Sequence, residues 1–63
     1  MERYELLKYE QQSVRLTYVN EVGPQTRSGF IYAISQEVVI FWPLNTEKEL
    51  RILFKDIKDI ESI

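Results

Sequence analysis

Three acidic residues form the one cluster whose types and spacing suggest catalysis, because paired carboxylates can act as general acid and general base. Asp56, Asp59 and Glu61 lie close together in the sequence. The chain contains no histidine and no cysteine, so the commonest general base and the commonest strong nucleophile are missing. A chain of 63 residues has little room to enclose a small-molecule substrate. We therefore predict a solvated charged edge at these residues and no enzymatic activity.

The same two absences limit the cofactors and the compartment. Without histidine or cysteine there can be no imidazole or thiolate metal site and no disulfide, so we predict no cofactor. No apolar run approaches the roughly 20 residues of a membrane span, so we predict no membrane association. The absence of cysteine fits a reducing environment, and we expect a cytoplasmic protein.

Aromatic side chains offer a second kind of chemistry, since they can anchor a protein partner. Half of the eight aromatic residues lie in residues 27–42, RSGFIYAISQEVVIFW, where both faces of a strand would be apolar. We predict that a partner binds here and at the N-terminal helix, through Tyr4, Tyr32, Phe41 and Trp42. Strand register leaves open whether Trp42 or Phe41 points outward. The helix could also cover the outward aromatic through Tyr4 and Leu7.

Basic residues in or beside the strands give the alternative function. Small barrels bind single-stranded nucleic acid by stacking bases on exposed aromatics next to positive charge. The residues that could bind phosphate here are Arg15, Arg27, Arg51, Lys55 and Lys58. The net charge of −2 and the acidic residues on the same strands weaken this hypothesis. We therefore favour a protein partner and keep nucleic-acid binding by an oligomer as the alternative.

The elements that must position these residues follow from periodicity. Residues 1–12, MERYELLKYEQQ, contain no Gly, Pro or β-branched residue, which predicts a helix. From Ser13 onward the apolar residues alternate with polar ones, which predicts a first strand with Val14, Leu16 and Tyr18 on its buried face. Gly23-Pro24 is a turn signal, so the first two strands should form a hairpin.

The second half of the chain predicts three more strands. Gly29 within the second strand indicates a bulge or sharp bend. Pro43 should end the third strand or lie at an exposed edge. A fourth strand carries Leu50, Ile52 and Phe54, FKDI forms a helical turn, and Ile57 fills the core before a last strand that carries Ile60. The remaining core residues are predicted to be Ile31, Ile34, Val38 and Ile40.

Five short strands in about 50 residues predict a mainly β fold. We expect a single domain, residues 1–63, with a short N-terminal α-helix in residues 1–12 and a small, strongly bent five-stranded antiparallel barrel in residues 13–63. Such a barrel has open edges, and pairing an edge with a second copy would produce a homo-oligomer, a dimer or a ring.

The order of these elements resembles the Sm-like and SH3-like small barrels over nearly the whole chain. It is most similar to the YolD-like domains of bacilli and their phages, through Tyr18 in the first strand, residues 29–31 in the second, and the closing Phe54, Ile57 and Ile60. The resemblance implies an association with DNA-damage or mobile-element functions. Together with the short acidic chain, it fits a regulatory phage or mobile-element protein that occupies a host factor. The nucleotide pocket of RNA-binding Sm-like proteins has no counterpart here, since the two pocket sites read SQEVV and FKDI.

Overall fold

The computed structural model describes all 63 residues and begins with a short helix. Helix α1 spans Arg3–Leu6 and continues as a 3-10 helix, Leu7–Tyr9. The main-chain N–H of Glu2 donates to the Glu5 carboxylate (2.9 Å), which satisfies a donor at the start of α1. No helix in the structure has the length and apolar character of a membrane span.

The predicted helix over residues 1–12 is too long at its C-terminal end. Gln11 has a positive φ of 61°, which a helix cannot contain. The main chain here pairs with the sheet instead: Gln11 N donates to Ile31 O (2.8 Å), and Ile31 N donates to Gln12 O (2.9 Å). These sheet hydrogen bonds override the local helix propensity of the two glutamines.

Five antiparallel strands follow: β1 Ser13–Asn20, β2 Gly23–Ile34, β3 Val38–Pro43, β4 Leu50–Leu53 and β5 Ile57–Ser62. They form one sheet in the order β4-β3-β2-β1-β5. The predicted hairpin of β1 and β2 is confirmed, but its turn lies at Glu21 and Val22. Gly23, at φ 117°, and Pro24 open β2 and do not form the turn as predicted. The five strands and the N-terminal helix confirm the predicted mainly β fold.

Gly29 has a different role from the predicted bulge. The interruption between β2 and β3 falls between Ile31 and Ala33, where Tyr32 is the extra residue. At Gly29 the two strands instead approach closely: a β-carbon there would lie 2.7 Å from Pro43 Cα and 2.9 Å from Phe41 Cζ. Glycine is needed at this position for main-chain packing.

The C-terminal half follows the predicted pattern with one change. Pro43 ends β3, as predicted, and is buried. Phe54 leaves β4 and begins a 3-10 helix, Phe54–Asp56, after which Ile57 enters the core as predicted. Ile60 on β5 is also buried.

The core contains eleven buried residues drawn from α1 and all five strands: Leu6, Val14, Leu16, Tyr18, Ile31, Ile34, Val39, Phe41, Ile52, Ile57 and Ile60. The predicted burial of Ile31 and Ile34 is confirmed, whereas Val38 and Ile40 are only partly buried. Strands β4 and β5 are the two edges of the sheet, and no ladder joins them. The sheet therefore bends around one core but is not closed into a barrel by hydrogen bonds.

Candidate functional site

Strand β3 has apolar side chains on both of its faces. Val39 and Phe41 are fully buried. Val38, Ile40 and Trp42 alternate with them and so lie on the opposite face of the strand. This register decides the question that the sequence left open: Trp42 points outward and Phe41 points into the core.

Neighbouring strands extend the outward apolar surface on both sides of β3. On β2, Phe30 lies directly opposite Trp42, and Ala33 lies opposite Ile40. On β4, Leu53 lies opposite Val38. Directly paired residues of antiparallel strands project to the same side of the sheet, so these side chains form one surface. We call the surface the outer β3 face: Phe30, Tyr32, Ala33, Val38, Ile40, Trp42 and Leu53.

The bulge in β2 adds Tyr32 to this surface. Ile31 and Ile34 both point into the core, three positions apart, whereas regular alternation would bury residues two or four apart. Tyr32 and Ala33 fill the interval, and neither is buried. Tyr32 is 57% exposed, more than Trp42 at 40% or Leu53 at 38%. The bulge thus turns a large aromatic ring toward solvent beside Ile40.

The indole of Trp42 is held by the loop after β3. Its Nε1 donates to Thr46 O (3.0 Å), and the Thr46 hydroxyl donates to Pro43 O (2.8 Å). The polar atom of the ring therefore has a partner within the chain, while part of the ring remains accessible. A fixed aromatic ring loses little conformational freedom on binding.

The N-terminal helix is anchored elsewhere. Leu6 is buried in the core, Arg3 Nε donates to Ser35 O (3.1 Å), and the main-chain nitrogen of Met1 donates to Phe54 O (2.9 Å). Tyr4 is 76% exposed and Leu7 is 39% exposed. These exposures do not favour the alternative in which α1 covers the outward aromatic through Tyr4 and Leu7.

Of the four predicted partner-binding residues, the structure brings two together. Tyr32 and Trp42 share the outer β3 face, and Tyr4 is exposed on α1. Phe41 is fully buried between its strand neighbours Ile31 and Leu50, so its prediction as a surface residue is wrong. The β3 register that exposes Trp42 necessarily buries Phe41.

The five predicted phosphate-binding residues do not form one patch. Arg15 is opposite Ser28, while Arg27 is opposite Leu16 on the other face of the sheet. Arg15 is also ion-paired with Glu61 (3.1 Å). Arg51 lies on β4 opposite Ile40, Lys55 lies in the second 3-10 helix, and Lys58 is the extra residue of a bulge in β5.

The acidic cluster is spread along the surface. Asp56 is partly buried in the second 3-10 helix, and Asp59 and Glu61 are exposed on β5, opposite Thr17 and Arg15. No three His, Cys, Asp or Glu side chains are placed to hold a metal ion.

Sequence reasoning missed five members of the outer β3 face as partner-binding residues: Phe30, Ala33, Val38, Ile40 and Leu53. The signal was present in VVIFW, because an uninterrupted apolar strand must direct every second residue away from the core that the others fill. Comparison with protein-family models, with curated proteins and with solved structures gave no match. The resemblance to YolD-like domains therefore stays a prediction.

Proposed function

We propose that this chain is a non-enzymatic interaction module that binds a protein partner through the outer β3 face. The observation that carries the proposal is the contiguous surface of Phe30, Tyr32, Ile40 and Trp42 on two paired strands, with Tyr32 and Trp42 exposed. Tyr and Trp are enriched among the residues that dominate binding energy at protein interfaces. Their placement on strands gives a surface that changes little on binding.

Charge suggests what the partner should carry. Arg51 is exposed beside Ile40, and its guanidinium has no ion pair. An apolar partner surface with a carboxylate opposite Arg51 would complement this region, and the carboxylate would fix its orientation. The small size of the domain and its resemblance to YolD-like domains further suggest a phage or mobile-element protein that occupies a cytoplasmic host factor.

A matched pair of aromatic variants tests the proposal. Proteins captured from a cell extract by the immobilised wild type are compared with those captured by Trp42→Ala and by Tyr4→Ala. A partner of the outer β3 face should be lost with Trp42→Ala and retained with Tyr4→Ala, since Tyr4 is equally aromatic and lies on α1. The purified partner is then titrated calorimetrically. Equal affinity for the wild type and a folded Trp42→Ala would contradict the proposal.

Single-stranded nucleic acid is the alternative ligand, and the same aromatic rings favour it. Phe30, Tyr32 and Trp42 could stack on bases, with Arg51 beside them. The two ligands differ in their response to salt, because phosphate binding weakens steeply with added salt and apolar protein contacts do not. Titration of a labelled oligothymidine at low and high salt distinguishes them. The mass of the protein across a dilution series, with and without this oligonucleotide, tests the predicted homo-oligomer.

A further inference from the structure

Strand β4 has unpaired main-chain groups along its open edge. Phe54 N donates to Glu37 O (2.9 Å) at the end of the β3–β4 ladder. In an antiparallel ladder alternate residues bond to the partner strand, so Ile52 and Leu50 also direct their main-chain groups toward β3. The N–H and C=O of Arg51 point away from β3, where no strand of this chain accepts them.

A cleft of about 440 Å³ runs beside this edge. It lies between β4 and the end of β1, and its walls include Tyr18 and Ile52, both buried members of the core. Glu21 and Asp56 also line it, together with Arg51. The cleft therefore combines an apolar wall, the free main-chain N–H and C=O of Arg51 and an excess of negative charge.

The two carboxylates in the cleft have no cationic partner within the chain. The one ion pair in the structure joins Arg15 to Glu61, on another part of the sheet. Arg51 forms no ion pair with either Glu21 or Asp56, although all three line the same cleft. A bound group that carries a positive charge would complement these carboxylates.

The other open edge of the sheet differs from β4. Strand β5 is interrupted opposite Thr17 and Tyr18 by a bulge that contains Lys58. Bulges and lysine side chains are features that protect edge strands from pairing. Strand β4 contains no bulge in its pairing with β3, so its edge is regular as well as open.

We propose that the cleft beside β4 binds an extended peptide segment that contains a lysine or arginine side chain. The segment adds to the sheet as a sixth strand by exchanging hydrogen bonds with the N–H and C=O of Arg51. An apolar side chain of the segment packs against Ile52, and its cationic side chain lies near Glu21 and Asp56. Arg51 borders both this cleft and the outer β3 face. The site uses the main-chain groups of Arg51 and the carboxylates of Glu21 and Asp56, none of which belongs to the outer β3 face, so it does not depend on the function proposed for that face.

The experiment uses two short probes, acetyl-Thr-Val-Thr-Lys-Thr-amide, in which Val and Lys project to the same face of an extended strand, and the same peptide with Glu in place of Lys. Each is titrated into the isotopically labelled full chain while the amide resonances are followed. The lysine peptide should shift the resonances of Arg51 and its neighbours and slow hydrogen exchange at the Arg51 N–H. The glutamate peptide should bind roughly two- to ten-fold more weakly, and the double variant Glu21→Gln, Asp56→Asn should remove this preference.

Two substitutions at one position separate main-chain from side-chain recognition. Arg51→Pro deletes the free N–H without removing a bond to β3, and we expect it to weaken peptide binding roughly three- to ten-fold or more. Arg51→Ala keeps the N–H and should bind the peptide within about two-fold of the wild type, since the loss of one exposed charge is worth little. Thermal unfolding monitors whether both variants fold.

Hydrogen exchange in the wild type provides a readout that does not require the proline variant to fold. Ile63 N donates to Ser13 O, so alternate residues of β5, including Glu61, direct their main-chain groups toward β1. Ile60 lies between them in this alternation and directs its N–H to the open edge of β5. This N–H should remain unprotected when the peptide is bound. No resonance shift at Arg51 with either peptide would overturn the proposal. Resonance shifts centred on Trp42, or equal peptide binding by a folded Arg51→Pro, would also overturn it. A concentration-dependent dimer that competes with the peptide would overturn it as well, because the occupant of the edge would then be a second copy of the chain.

Discussion

Gly29 on β2 and Pro43 on β3 are paired so closely that no side chain fits between them. A β-carbon on Gly29 would lie 2.7 Å from Pro43 Cα, and the main-chain oxygen of Trp42 would be closer still. Both of these neighbours are main-chain atoms, which cannot move aside as a flexible side chain would. The contact therefore fixes how closely β2 and β3 approach each other at the pair next to Phe30 and Trp42 of the outer β3 face.

Gly29→Ala should destabilise the protein by about 1–3 kcal/mol or more, because the strands must separate to admit the methyl group. The measurement is urea unfolding followed by circular dichroism. Ser28→Ala is the matched control, since Ser28 is the adjacent residue and its main-chain bond to Leu44 N does not involve the side chain. Equal stability of the two variants would mean that the strands are not held this closely in solution.

Leu6→Ala should cost about 2–5 kcal/mol, because Leu6 is 1% exposed and is the residue through which α1 enters the core. Leu7→Ala, one position further along and 39% exposed, should cost much less. The free energies of unfolding of these two leucine variants are compared under identical conditions. Similar losses for both would contradict the packing of α1 on the core.

Phe41→Ala and Trp42→Ala should differ in their effect on stability, because Phe41 lies in the core and Trp42 lies on the outer face of the same strand. Truncating the fully buried Phe41 should cost about 3–5 kcal/mol, comparable to the whole stability of a domain this small, so we expect an unfolded chain. Trp42→Ala removes a partly exposed ring and its bond to Thr46 O, so the chain should stay folded with a lower melting temperature. Thermal denaturation followed in the far ultraviolet distinguishes the two. An unfolded Trp42→Ala would rule out its use as a binding-deficient variant.

The ion pair between Arg15 and Glu61 should contribute little to stability, although it joins β1 to β5. Both side chains are about half exposed, and exposed pairs are typically worth about 0.2–1 kcal/mol. A double-mutant cycle with Arg15→Gln and Glu61→Gln isolates the coupling energy. We expect it to decrease with added salt. A coupling above roughly 2 kcal/mol would indicate a less hydrated pair than the structure contains.

The fold was predictable from the sequence because its strands alternate. Val14, Leu16 and Tyr18 identify β1 by period two alone, and the change of spacing at Ile57 and Ile60 identifies the last turn and strand. The helix boundary was not predictable, because Gln11 and Gln12 are good helix formers whose main chain is recruited by Ile31 of β2. That pairing is a long-range contact, and local propensity carries no information about it.

The candidate site was predictable only in part. Aromatic enrichment predicts Trp42 and Tyr32 as binding residues, but it predicts Phe41 equally well. Phe41 differs from Trp42 only in the face of β3 to which its side chain points. Register is set by which face of β3 the rest of the core covers, so VVIFW alone cannot assign it. Tyr32 is placed by a bulge one residue long, and Gly29, the residue that suggested a bulge, instead permits close approach of the strands.

Trp42 is the single tryptophan of the chain, and it lies on the proposed binding surface, partly exposed, with its indole N–H bonded to Thr46 O. The chain therefore carries an intrinsic fluorescent reporter on the surface where we propose that the partner binds. A partner that covers the outer β3 face would shift the indole emission to shorter wavelength and protect it from quenching by iodide, whereas a ligand confined to the β4 cleft would leave the ring in contact with water. Unlabelled protein can thus distinguish the two surfaces in a single titration.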